Sequence, residues 1–560
     1  MTTFALILGG VGLFLLGMNL MTEGLKALAG ESLKNMLSKF TGGTYRSIMT
    51  GATMTAIIQS SSATTFMTIG FVSAGLLTFS QSVGVIIGAN LGGTSTGWIV
   101  SVIGFKINMS AIALPVIGVG ILMKLLSSNR LGPHGYALAG FGLIFLGIAV
   151  LQDGMADFTT YIDLTRFAGD QWWVIPILLI IGIVMTVVMQ SSSAAVVTTL
   201  AALHTGVIDF NQAAVLVIGQ NVGTTIKAII ATIGGTIAAK QTAMAHITFN
   251  LLTGLLAVVF LPWLIQFVFF ISSIFQIADL AVILALFHTV FNVIGVLIIV
   301  AILPWFAKVV KWVYPDEKDT DNYSRYLDDS VAEVGPVAIE AARRALLRLW
   351  GDIVDLSLST VAKDSSKALT MDSRHKKLDK LNQALAEIRM FLLKTSENMQ
   401  RHSKQEYKAH VALVHAVDHI DRLIYLLKED YNPQKITEIQ LIDNIVDKLR
   451  TTYESIKLDS ENLVIEDECL KQLEIESKSI AELRKQGRKE IYKSTAKGAE
   501  FPIDSAIVIV QTIHWLDRLA YHLWRSANHL TIIGLNESDK LDSHESDKSD
   551  SKESSEDIDE

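Results

Sequence analysis

Along the first 314 residues the apolar positions come in runs too long for a soluble core, such as "WWVIPILLIIGIVMTVVM" and "LLTGLLAVVFLPWLIQFVFFISSIF". A stretch of about 20 apolar residues spans the hydrocarbon of a bilayer. Polar residues within this region are few and gathered. "TAIIQSSSATT" from Thr55 and "TVVMQSSSAAV" from Thr186 each set a glutamine and three serines where unpaired polar groups are costly. Beyond Tyr314 the pattern changes to apolar residues at helical spacing among charges, as in "VAIEAARRALLRLWGDIVDLSLSTV" and "VALVHAVDHIDRLIYLLKED". The pattern predicts an all-α chain in three parts. Residues 1–314 form a polytopic membrane part, 315–534 a soluble bundle of helices, and 535–560 an acidic, serine-rich tail too poor in apolar residues to fold.

Charge follows the same division. Met1–Tyr314 holds 12 basic and 8 acidic residues, and the rest holds 35 and 47. A net charge of −8 with no basic face argues against nucleic acid as a partner. The lone cysteine, Cys469, can build neither an internal disulfide nor a thiolate metal site. The N-terminus lacks the charged start and cleavage site of a removable signal and reads as a retained first span. Lys308 and Lys311 near the last span, with the charged part beyond, favour a cytoplasmic C-terminus in a bacterial inner membrane.

Comparison of the chain with itself shows a duplication at an offset of 131 residues. Over Thr55–Ser95 it gives 15 identities in 41 positions, most of them polar or glycine, and defines units around 45–104 and 176–235. Each unit carries two polar stations: the Q-S-S-S tetrad, then "GANLGGT" or "GQNVGTT". The arm entering the first tetrad, "YRSIMTGATMTAII", is about 21 Å long as a helix, short of the roughly 30 Å core. Serine also competes for backbone hydrogen bonds. Each tetrad is therefore expected at the tip of a re-entrant helical hairpin. Small residues pack membrane helices too. Two copies with the same glutamine and the same glycine-flanked asparagine single out a site instead.

On these duplicated motifs the chain resembles the sodium/phosphate cotransporter family, its bacterial members and their animal type II relatives. The resemblance covers about residues 1–310. It implies inverted repeats, sodium-coupled transport of inorganic phosphate and a homodimer. Phosphate wants donors, which half-helix N-termini and hydroxyls supply. Its candidates are Ser61, Ser62, Ser192 and Ser193, with Gln59 and Gln190. Sodium wants oxygen, and the candidates are Ser60, Thr64, Asn90, Thr94, Ser191, Asn221 and Thr225, with the glutamine carbonyls. A hydroxyl both donates and accepts, so which serine serves which ion stays open.

Proton-driven carriers usually bury an Asp, Glu or His relay. Asp153, Asp157, Asp163 and Asp170 cluster in what reads as a polar connector, and Asp209 and Asp279 sit at helix junctions, none beside the repeat motifs in sequence. This favours sodium. Two H-x-x-F-N segments put His246 near Asn250 and His288 near Asn292 on one helical face. They either bond neighbouring helices or line and support the pathway, and a His-only relay stays open. Lys227 stands where the first unit has Thr96. It either snorkels to an interface, or its ammonium replaces one sodium or attracts phosphate and so alters the stoichiometry in this half.

The part after Tyr314 resembles a PhoU-like domain, a tandem of three-helix bundles tied to phosphate signalling. Asp421-Arg422-Leu423 is echoed by Asp517-Arg518-Leu519. His415, Asp418, Asp421 and Asp517 offer metal-ligand chemistry, but no clear E-x-x-x-D motif is present and no metal is assigned. The reading is a sodium-coupled phosphate carrier with a regulatory domain, without an organic cofactor, and with phosphate-signalling proteins as partners. The alternatives are a non-transporting phosphate sensor, or a carrier of another oxyanion or small carboxylate. Q-S-S-S lacks the G-x-S-x-G context of an enzymatic nucleophile.

Overall fold

The computed structural model describes residues 2–39, 41–73, 75–104, 109–126, 131–158, 173–232, 236–315, 323–327, 335–361, 371–398, 404–429, 440–456, 465–497 and 502–532. It divides into two compact units, Met1–Asp319 and Thr320–Glu560. Among the described residues all regular structure is helical. Six helices of the first unit are long and apolar enough to cross a membrane, which makes this a multi-pass membrane protein.

The first unit opens with α1 (Thr2–Lys39), which lies along α7 (Gly132–Phe158), with α6 (Met109–Leu126) on the other side of α7. Glycines explain the contact. Gly10, Gly17 and Gly24 recur every seven residues on α1, and Gly140, Gly147 and Gly154 do so on α7. A Cβ at Gly17 would lie 2.6 Å from the Ile144 nitrogen, and one at Gly147 2.5 Å from that of Phe14. The backbones touch. In lipid, where helix association depends on close packing, such a seam is a main source of cohesion. Gly154 sits on α1 in the same way, so α7 runs on through Asp153, which is part of the helix and not of a connector. Asp163 and Asp170, and the side chain of Asp157, lie outside the described residues.

The duplicated units adopt the same sequence of elements. The first is α2 (Thr44–Ile58), α3 (Ser61–Ser73), α4 (Phe79–Gly93) and α5 (Ser95–Ile99), which runs into a π turn over Val100–Gly104. The second is α8 (Val174–Met189), α9 (Ser192–His204), α10 (Phe210–Gly223) and α11 (Thr225–Ala231). α2 packs on α4, and α8 on α10, through glycines at the repeat offset: Gly51 and Gly88 in the first, Gly182 and Gly219 in the second. A Cβ at Gly88 would lie 2.0 Å from the Ile48 carbonyl, and one at Gly219 2.3 Å from that of Leu179. Thr78 and Asp209, also 131 apart, cap α4 and α10 in capping boxes with Gln81 and Gln212. Asp279 caps α14 (Leu280–Val313), accepting from the amides of Ala281 and Val282. The two acids at helix junctions are thus engaged as caps. α12 (Ile237–Val259) and α14 pack against the repeats, and α13 (Leu261–Ile274) against α14. α14 continues past Lys308 and Lys311, so both lie within the helix.

The second unit holds long helices at Gly335–Val361, Met371–Asn398, Lys404–Lys428, Gln440–Ser455, Asp467–Ala496 and Ile503–Ile532. Its core is aliphatic and includes the buried Trp350 and Trp515, whose indoles bond Ser526 and the Leu426 carbonyl. The sequence echo has a structural counterpart. Asp421 pairs with Arg389 at 2.8 Å and Asp517 with Arg484 at 3.2 Å, each arginine lying on the helix before. Asp418 pairs with Arg422 at 3.0 Å. His415 stacks on His529, so these groups do not converge on a metal, and no metal-holding group of three occurs among the described residues. The tail, 535–560, lies outside the described residues.

Two stability predictions follow from this packing. In Gly17→Val the side chain must force α1 from α7. Overpacking costs roughly 1–3 kcal/mol, so thermal unfolding in detergent should come at lower temperature, and an unshifted midpoint would remove the seam argument. The second prediction concerns His419 and His522, whose Nδ1 atoms are 2.9 Å apart. One ring must donate and the other accept, so the accepting ring is neutral. Burial, then the neighbouring His522 and Arg525, lowers the pKa of His419 from 6.5 to about 3, partly opposed by Asp418. Burial, then Arg422 and Arg518, lowers that of His522 to about 4. Below the ordinary value of 6.5 the unfolded chain takes up protons that the folded pair refuses. Stability is therefore complete above 6.5 and falls as the pH drops towards 4. Hydrogen exchange in the full chain should show 404–428 and 503–532 opening more readily over that range, and His522→Gln should flatten the dependence.

Candidate functional site

The backbone reverses direction at a glutamine in each unit. Gln59 has φ 57° and Gln190 φ 51°, both in the left-handed region that residues with a Cβ seldom enter. Each stops its helix as C-cap, of α2 and α8, and each has its amide bonded back to a carbonyl, of Thr55 and Val187. The next serine starts the returning helix: Ser60 Oγ accepts from the Ala63 amide and Ser191 Oγ from that of Ala194. Both tetrads are therefore helix breaks. A second pair of left-handed residues, Gly75 and Gly206, turns the chain after the returning arms.

The two breaks meet. A small cleft, partly open, is lined by Ser61, Asn90, Gly93, Thr96 and Gly97 of the first unit and by Ser192, Ser193, Val196, Asn221 and Thr224 of the second, with His288 from α14. Thr96 joins the halves: its hydroxyl donates to Gln59 Oε1 at 3.0 Å and lies 3.3 Å from Ser193 Oγ. Gln59 Nε2 in turn donates to Ser95 Oγ at 3.0 Å. Ser61, Ser62, Ser192 and Ser193 occupy the first turns of α3 and α9, whose amides have no carbonyl a turn behind them. Among the described residues no Lys, Arg, Asp or Glu lines the cleft. It can offer an oxyanion neutral donors, and a cation neutral oxygens.

Of the residues singled out by sequence, Ser61, Asn90, Ser192, Ser193, Asn221 and His288 line the cleft. Gln59 stands behind it, through Thr96. Ser60 and Ser191 are caps, and Ser62 is half-buried beside Ser61. Thr64 takes a hydrogen bond from Thr55 at 2.9 Å within the first hairpin. Thr94 and Thr225 donate to the carbonyls of Leu91 and Val222, and Thr94 also accepts from Thr289. Asn221 donates to Asn250 at 2.8 Å, so the first H-x-x-F-N segment braces the second unit. In each segment the asparagine donates to the histidine carbonyl, at 3.2 Å for Asn250 and 2.9 Å for Asn292. Among the described residues His246 Nδ1 and His288 Nδ1 are both buried without a partner; His246 lies away from the cleft lining and His288 lines it. Gln190 is exposed, with Nε2 turned to the Val187 carbonyl. Lys227 Nζ donates to the Gln190 carbonyl.

Sequence reading missed Thr96 and Thr224 as lining groups. Thr96 is unmatched in the repeat because its counterpart is Lys227, so identity between the copies pointed away from it. Thr224 stands opposite Gly93 for the same reason.

The family model described as "Na+/Pi-cotransporter" matches residues 13–153 and 176–297, both breaks included. An uncharacterized protein of Bacillus subtilis, YqeW, is 32% identical over 251 residues, covering 44% of this chain and 79% of that one. The chain belongs to the Na+/Pi-cotransporter family. An Escherichia coli relative named as a putative inorganic phosphate export protein, YjbB, is 25% identical over 401 residues, covering 70% of this chain and 71% of its own. The Salmonella typhimurium protein of that name is 26% identical over 371 residues, covering 65% of each. No solved structure matches the chain. In this member of the family the duplicated tetrad lies at paired helix breaks that share one cleft.

Thr96→Val keeps the shape and removes the hydroxyl between the halves. The loss of about one hydrogen bond, roughly 1–1.5 kcal/mol, should weaken phosphate binding to purified protein about tenfold. Thr205→Val, at an unrelated hydroxyl on α9's far end, should leave it unchanged.

Proposed function

We propose that the protein is a sodium-coupled carrier of inorganic phosphate, with the anion held between the two hairpin tips. The observation that carries this reading is the cleft where both breaks meet without a formally charged lining side chain. Phosphate brought there loses water and gains only neutral donors, the amides and hydroxyls of Ser61, Ser62, Ser192 and Ser193, aided by the helix dipoles. A doubly charged anion in a low-dielectric site needs opposite charge beside it. Sodium supplies it, held by neutral oxygens of Gln59, Asn90, Asn221, Thr94, Thr225 and the carbonyl of the first tip. Anion and cation then enter together, and that is coupling: each improves the other's affinity by the same factor.

In this reading the repeats have inverted topology and rock around the shared cleft. The second unit is a PhoU-like regulatory domain on the cytoplasmic side of the inner membrane, the chain pairs as a homodimer, and phosphate-signalling proteins contact the regulatory unit. The Escherichia coli relative's name speaks of export. The same cycle run in reverse, down an outward phosphate gradient steep enough to exceed the inward sodium gradient, serves export here as well, since the direction depends on the gradients and not on the lining. A phosphate sensor using the same cleft would bind without moving its ligand.

Proteoliposomes containing the purified chain separate these readings. Radioactive phosphate uptake should require sodium on the phosphate side, and Ser193→Ala should reduce it by about tenfold or more, in line with a charge-assisted hydrogen bond of roughly 1.5–3 kcal/mol. Sodium-independent flux, or binding without flux, overturns the proposal.

A further inference from the structure

The two hairpin tips are not equivalent. At the first, Gln59 is buried and its side chain is held by Ser95 and Thr96, while no protein donor reaches its backbone carbonyl among the described residues. At the second, the positions matching Ser95 and Thr96 are Ile226 and Lys227, so both hydroxyls are gone. Gln190 is exposed and turned back on its own helix, and its carbonyl accepts from the Lys227 ammonium. Each of these carbonyls closes an interrupted helix at its negative dipole end, next to serines that line the cleft. One tip offers its carbonyl and hydroxyl oxygens to a mobile cation. The other already has a cation bonded to it.

We propose that Lys227 is a tethered cation which takes, at the second hairpin tip, the place that a coupling sodium ion takes at the first. The inference deepens the sodium-coupled reading and rests on it. A small oxygen-seeking cation needs several oxygen ligands, and the second tip has exchanged two of them for a methyl-bearing side chain and an ammonium. The ammonium supplies the positive charge near phosphate without being carried, so each cycle moves one sodium ion fewer than two equivalent tips would.

The test counts sodium. In the full-length protein, Ile226→Ser combined with Lys227→Thr rebuilds the first tip's oxygen set at the second. Bound radioactive sodium per chain at saturation should rise by one ion, and phosphate flux in proteoliposomes should depend more steeply on sodium by the same amount. Lys227→Arg keeps the tethered charge and should match the parent. The reciprocal change, Thr96→Lys, should lower the bound count by one, which gives a readout even where the double variant does not fold. Parental counts in the folded variants overturn the tethered cation and leave sodium coupling standing. A parent that binds no sodium and carries phosphate without it refutes sodium coupling itself.

Discussion

Everything in the membrane unit depends on one constraint: backbone amides and carbonyls at a helix end cannot be left bare in hydrocarbon. Two helices end abruptly at Gln59 and Gln190, and the chain restarts within two residues of each. Some of the exposed groups are quenched locally. Ser60 and Ser191 take one amide each, and the amides of Gln59 and Gln190 turn back on their own helices. What remains is the first-turn amides of α3 and α9, beside the serines that line the shared cleft, and the tip carbonyls, of which that of Gln190 accepts from Lys227 of its own unit. The breaks are tolerable because they meet, and the surface on which they meet is polar for the same reason.

Holding two breaks together demands rigid helices around them, and glycine provides it by removing side chains. α2 on α4, α8 on α10 and α1 on α7 all approach backbone to backbone at regularly spaced glycines. The capping boxes at Thr78 and Asp209 fix where the second helix of each pair begins. The asparagines Asn90 and Asn221 are thereby set at a constant height against the serine turns. His246–Asn250 on α12 then reaches Asn221, and Thr289 on α14 reaches Thr94 and Trp98, so the flanking helices grip both units. Small changes at the tips are transmitted into packed helices, the arrangement expected of a part that moves as a body.

Much of this was legible in the sequence because the duplication repeats function and not only hydropathy. The hairpin turns at Gln59 and Gln190 follow from arms too short to span, and six of the chosen residues line one cleft. What escaped has definite causes. Period-seven glycines on α1 and α7 look like ordinary membrane composition until a partner helix is known, and only their joint spacing marks a seam. "LQDGMADF" reads as a connector from its acids, yet Gly154 keeps it helical against α1. The carboxylates of the second unit, to which the sequence assigned no metal, are each paired with an arginine one turn or one helix away. Identity between the copies could not mark Thr96, which the sequence presented only as the counterpart of Lys227.

Those differences are where a duplicated carrier acquires asymmetry. Identical halves would present equal sites, with equal charge moved through each. Ala89 against Gln220 is one departure: Gln220 bonds the Ala195 carbonyl and Thr199, tying α10 to the returning arm of its own hairpin in a way Ala89 cannot. Ser95–Thr96 against Ile226–Lys227 is another, and it changes chemistry instead of stiffness. The first tip is wired to the opposite unit through neutral hydroxyls, the second to its own carbonyl through a fixed charge. In the proposed cycle the half that bears the fixed charge of Lys227 keeps it throughout, and the half with open oxygens is the one whose cation would exchange.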